Sequence, residues 1–175
     1  MTTTDQKKID ALLAELTSKD GIARQTARTQ LVEIGPPALE SLIRIFETER
    51  TTYAHWDAAK AISAIGGQEA VTPLLHALGD KDFSVRWIAA EGLVAIGDIA
   101  LEGLLNGIIA EEQPQFFCEG AHHVIHDLIS RQLIDTETIE HLEPLQKVLT
   151  MKSVSEIEIK HAAAKALKWL KGNRG

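Results

Sequence analysis

Apolar and small residues recur along this chain in short stripes of helical spacing, and the stripes themselves recur. In VRWIAAEGLVAIG, the residues Val85, Ala89, Gly92, Leu93 and Ile96 fall at i, i+4, i+7, i+8 and i+11, which is one face of a helix. No strand-like alternation competes with it. The same register runs through ARQTARTQLVEIG from Ala23 and AHWDAAKAISAIG from Ala54. All three segments close on Ile-Gly, at Ile34-Gly35, Ile65-Gly66 and Ile96-Gly97, 31 residues apart. A second kind of segment carries an apolar doublet and a third apolar residue: Leu12-Leu13 with Leu16, Leu42-Ile43 with Phe46, Leu74-Leu75 with Leu78, Leu104-Leu105 with Ile108. Both kinds are predicted to be helices of roughly 10–15 residues, closed by Gly35, Gly66 and Gly97 in the left-handed conformation and opened by polar residues such as Ser84.

Two more divergent copies follow. FCEGAHHVIHDL places Leu128 32 residues after Ile96, and IKHAAAKALKWLKG places Leu170 at the matching point of a last copy, with Pro144-Leu145 and Leu149 supplying its first helix. A fixed period of this length means stacked units that bury a continuous core only together. The expected fold is therefore all-α, an α-solenoid of about five helix pairs in a single domain over 1–175, with units near 6–35, 36–66, 67–97, 98–131 and 137–172. Small residues on the stripe (Ala58, Ala59, Ala89, Ala90, Ala163, Ala164) let neighbouring helices approach closely. The period and aromatic pattern do not suit tetratricopeptide repeats. An ankyrin-like VTPLLHALG from Val71 occurs once, with its His displaced.

These residues resemble the HEAT-like repeats of phycobilisome lyases. Asp80, Asp82, Val85, Arg86, Ala89, Ala90, Leu93, Ile96 and Gly97 are similar to that family's acidic turn, Val-Arg, double Ala, Leu and Ile-Gly. Asp20 with Arg24 repeats the acid and arginine of the turn, whereas His55 and Cys118 stand in the Arg place of the second and fourth copies. The resemblance implies that acid and arginine tie turn to helix through charge-assisted bonds. It also implies that the second helix of each pair lines a concave groove. Positions opposite the core stripe then face that groove: Trp56, Asp57 and Lys60 in the second unit, Trp87, Ile88 and Glu91 in the third, Glu119 and His123 in the fourth, and His161 and Lys165 in the fifth.

Composition narrows the function. The formal net charge of −7 repels phosphate backbones, so nucleic acid and anionic membranes are poor partners. A single cysteine, Cys118, an N-terminus without an apolar signal core, and no apolar run near the roughly 18 residues of a membrane span point to the cytoplasm. Cys118 reads as a small core residue.

Catalytic motifs find no footing. There is no G-x-S-x-G, no Walker loop and no His-Glu-x-x-His. The di-iron hydroxylases of this architecture depend on His-Glu pairs that this chain lacks. Trp56 and Asp57 resemble groove residues of HEAT-like alkylpurine DNA glycosylases, but the acidic balance argues against that activity. In EGAHHVIHDL, Glu119, His123 and Asp127 share a helical face without making a convincing closed metal set; His122 is expected in the core. No cofactor and no metal are expected. With only eight aromatics, indoles at solvent-facing Trp56, Trp87 and Trp169 depart from the usual interior placement. Tyr53, Phe83 and Phe116 stand at helix entries beside them. The expected function is a non-enzymatic scaffold that binds a protein or peptide in its groove; the alternative is a bilin-lyase-like or chromophore-handling role.

Overall fold

The computed structural model describes residues 3–49, 52–110, 116–151 and 153–173. These form ten α-helices, a short 3-10 turn at Gly97–Ala100 and no strand among the described residues. The helices run in consecutive pairs: α1 (Thr3–Leu16) with α2 (Gly21–Ile34), α3 (Pro36–Thr48) with α4 (Thr52–Ile65), α5 (Gln68–Ala77) with α6 (Phe83–Ile96), α7 (Leu101–Ile109) with α8 (Phe117–Ser130), and α9 (Thr136–Leu149) with α10 (Glu156–Asn173). The fold is an all-α solenoid. Second helices pack on one another in the order α2, α4, α6, α8, and first helices α1, α3, α5, α7 form a parallel row behind them. Between the rows runs one apolar core, from Ile9 and Leu16 through Leu42, Leu74 and Leu104 to Leu170.

Glycine sets both the turns and the closest approaches. Gly35, Gly66 and Gly97 hold φ of 74°, 65° and 77°. At Gly35 and Gly97 ψ is −142° and −137°, so these are extended, glycine-only conformations and not the left-handed caps expected. Gly35 ends α2 and directly precedes Pro36 at the first turn of α3, where its missing N–H costs nothing. On α6, a Cβ at Gly92 would lie 2.5 Å from Ser63 Oγ, and on α8 one at Gly120 would lie 2.5 Å from Leu78 Cγ. The opening of α6 also differs from expectation: Asp82, not Ser84, is the N-cap, its carboxylate accepting from the Ser84 N–H at 2.8 Å.

The last pair is set differently. α10 packs along α7 and α9, while α8 touches α9, so α10 takes the place beside α7 where a first helix would stand. The turn leading into this pair is also different. No glycine follows Leu128; α8 ends through Gln132 at φ 54°, with the Leu133 N–H on the Leu128 carbonyl at 3.0 Å. This is a left-handed cap, where Gly35 and Gly97 hold extended, positive-φ conformations instead.

One stretch, Phe83–Ile109, is long and apolar enough to span a membrane, contrary to the sequence expectation. It is broken at Gly97, which caps α6, so it folds as two helices that carry core residues.

Candidate functional site

The turns that present the second helices are built alike. Asp20 caps α2 by accepting from the Ile22 N–H at 2.9 Å, as Asp82 caps α6. Arg24 Nη1 donates to the Ser18 carbonyl at 2.9 Å, and Arg86 Nη1 donates to the Asp80 carbonyl at 2.9 Å. The turn is thus tied to the helix, but through a backbone carbonyl and not through the acid–arginine pair expected. Asp82 is held below the usual carboxylate range by its bonds from the Ser84 hydroxyl and N–H, against some burial.

His55, in the Arg place of the second copy, ties its turn by other means. Its Nδ1 lies 2.9 Å from the Phe46 carbonyl and its Nε2 2.8 Å from Asp80 Oδ2. Both partners only accept, so both contacts are hydrogen bonds when the ring carries two protons. The ring also stacks on Phe46, with centroids 4.3 Å apart.

Arg24 does a second job. Its Nε donates to Asp57 Oδ2 at 3.0 Å, and Arg28 Nη1 pairs with Asp57 Oδ1. Asp57 is buried, so the groove position assigned to it is filled by a carboxylate roofed by two guanidiniums. The cations lie against rings: Arg24 over Tyr53 at 4.6 Å, Arg28 over Trp56 at 5.4 Å and Lys60 over Trp56 at 4.6 Å. Tyr53, Trp56 and these arginines line a groove of about 420 Å³ between α2 and α4.

Two further grooves adjoin it. Trp56, Lys60, Phe83 and Trp87 line one of about 490 Å³ between α4 and α6, and Phe83, Arg86, Trp87, Glu119 and His123 line one of about 220 Å³ between α6 and α8. Neighbouring grooves share walls, Trp56 in one case and Phe83 with Trp87 in the other, so the three form a single strip. Its rings reach water: Tyr53 is 65%, Phe83 66% and Trp87 49% exposed. Trp87 leans on Phe83 at 6.3 Å and on the His123 ring at 4.6 Å, and Arg86 lies over Phe116 at 4.1 Å.

Beside Trp87 sits a charge cluster. His123 Nε2 is 3.2 Å from Glu91 Oε1, and Arg131 Nη2 spans Asp127 at 2.5 Å and Glu91 at 3.5 Å. Burial pushes the Asp127 carboxyl up, but the bond from His126 and the charges of His123 and Arg131 outweigh it and leave it below its usual range. Glu91, His123 and Asp127 offer donor atoms within 4.8 Å of one another, the types a divalent cation takes. The Arg131 guanidinium already contacts both carboxylates. The set differs from the Glu119, His123, Asp127 face read from one helix, because Glu91 comes from the neighbouring unit.

Of the residues expected in the groove, Trp56, Lys60, Trp87, Ile88, Glu119 and His123 line the strip, and Glu91 stands at its edge. Trp56 and Trp169 are half-buried against the core, unlike Trp87. His161 and Lys165 are not brought there: they lie on α10 and line a separate cleft of about 390 Å³ against Glu140, His141 and Pro144 of α9. Sequence reasoning missed Arg28. Its signal was a large cation standing 31 residues before Ala59 and 62 before Ala90, where the repeat wants a small residue.

Stacked helical hairpins with turns fixed by glycine and by capping acids define an α-solenoid of short repeats. The family comparison agrees: residues 9–93 and 40–116 match HEAT repeats. The chain belongs to the HEAT repeat family. No curated protein gives a significant match. Among solved structures, the chain is similar to one from the complex of CpcE and CpcF of phycocyanin lyase from Nostoc sp. PCC7120, at 23% identity and a TM-score of 0.49, covering 94% of this chain and 65% of that one. It thus spans just under two thirds of that chain's length. It is also similar to an engineered protein at 22% identity and a TM-score of 0.45, covering 97% of this chain and 81% of the other.

Proposed function

We propose that this chain is a non-enzymatic interaction module whose row of second helices, α2 to α8, binds a segment of another protein. The observation that carries this reading is the continuity of the strip: three grooves with shared aromatic walls, in a chain with only eight aromatic residues. Aromatic rings held rigidly by cations and by neighbouring helices offer large contact area at low entropic cost, the character of interface hot spots. Phe83→Ala with Trp87→Ala removes the two exposed rings shared by adjoining grooves. Recovery of co-purifying partners is expected to fall while the helical circular-dichroism signal stays; unchanged recovery removes the face from the account. The resemblance to lyase repeats offers a bilin as a second occupant. Biliverdin added to the purified chain is expected to leave its visible spectrum unshifted, and a shift abolished by the same double substitution would replace the protein segment with a chromophore.

A further inference from the structure

We infer that the segment received by this face is acidic, with a carboxylate side chain docking at Arg24 and Arg28 between α2 and α4. The inference rests on the reading of the face as a binding surface and adds the chemistry of its occupant. The strip is charged against the trend of the molecule: its linings carry Arg24, Arg28, Lys60 and Arg86 against Asp57 and Glu119, in a chain of net charge −7. Of the two acids, Asp57 is buried and already neutralised, and it meets two guanidiniums with one negative charge, which leaves one positive charge in excess at the groove between α2 and α4.

The donors there are partly uncommitted and held in place. Arg24 spends Nε on Asp57 and Nη1 on the Ser18 carbonyl, which leaves Nη2 beside Gly21, where a Cβ on that glycine would come within 3.6 Å of it. Arg28 spends Nη1 on Asp57. Each guanidinium has five N–H donors, so several remain uncommitted on side chains that are largely covered but line the groove beside Gly21. Both arginines are fixed by Asp57 and by ring faces before any ligand arrives. An incoming carboxylate therefore meets charge-assisted donors with little further ordering to do. Tyr53 and Trp56 alongside supply apolar walls for neighbouring side chains of the same segment.

A nucleic acid would satisfy the same donors, but it carries a charge at every phosphate and meets the repulsion of the whole acidic molecule. A peptide with a few carboxylates meets far less of it. The test measures fluorescence anisotropy on the full chain with three labelled probes: a peptide alternating glutamate and phenylalanine, its twin with lysine in place of glutamate, and single-stranded DNA. The acidic peptide is expected to bind at least about tenfold tighter than either other probe, the scale of one charge-assisted contact, and to weaken as salt rises. Arg28→Gln leaves the Arg24–Asp57 pair intact while removing the excess charge, and Lys60→Gln alters an exposed cation; each is expected to lower the affinity several-fold. Equal binding of the lysine twin, tighter binding of DNA, or indifference to Arg28→Gln overturns the inference. If partner recovery depends on Phe83 and Trp87 yet ignores Arg28→Gln, the face stands and its preference for acid falls.

Discussion

Asp57 shows how one side chain can serve both fold and surface. Removing it leaves two guanidiniums, each mostly covered, facing each other without a counter-charge. Asp57→Ala is therefore expected to cost roughly 2 kcal/mol, below the 3–5 kcal/mol of a fully buried pair because both arginines keep some contact with water. Urea unfolding measures it, and Asp57→Asn should cost less because the amide oxygen still accepts from one arginine. His122 makes a different prediction. Burial, then the nearby charges of His126 and His123, lower its pKa, and its Nε2 is buried with no hydrogen-bond partner among the described residues. A base whose folded pKa lies below its unfolded value near 6.5 contributes stability that is fully present above that value and lost as pH falls through the lowered one. Unfolding free energies at neutral pH and on the acid side should show this loss, and His122→Leu should remove that part of the pH dependence.

Helices and turns mark what could be read in advance. The 31-residue interval of Ile-Gly and the apolar doublets foretold helix pairs, because both depend on local periodicity and on the positive φ at Gly35, Gly66 and Gly97. The indoles near solvent were foretold only in part: Trp87 is exposed as expected, while Trp56 and Trp169 lean on the core, since a helical wheel ignores the adjoining helix that covers a flank. What no wheel conveys is contact between units. Glu91 joins His123 and Asp127, and Arg28 joins Asp57, across 29 to 36 residues of chain. The displaced fifth pair escaped notice because its divergent copy still carries the stripe of small and apolar residues, which says nothing of which row a helix joins. Close approach gives the element-scale prediction. Gly120→Ala would gain about 1 kcal/mol of helix propensity in isolation, but its methyl group meets Leu78 at 2.5 Å, so a net loss of roughly 1–2 kcal/mol in thermal or chemical unfolding is expected.

For the whole molecule, each pair lends its neighbours a surface to cover, so stability is shared along the series and the end pairs matter beyond their size. α9 and α10 shield Leu101 and Leu105 of α7 through Leu142, Ala166 and Leu170. A chain ending before Thr136 should unfold at lower temperature and scatter light in a concentration-dependent way, since those leucines would then face water. Scattering identical to that of the full chain would show that the fifth pair is dispensable.

The relocation of α10 to the outer row also determines a length. Four helices at interaxial spacings of about 8–10 Å span some 24–30 Å, which an extended polypeptide crosses in roughly eight residues. The aromatic strip is in this sense a ruler: a linear motif longer than that footprint would overhang the last rung, and one much shorter would leave rings uncovered at one end.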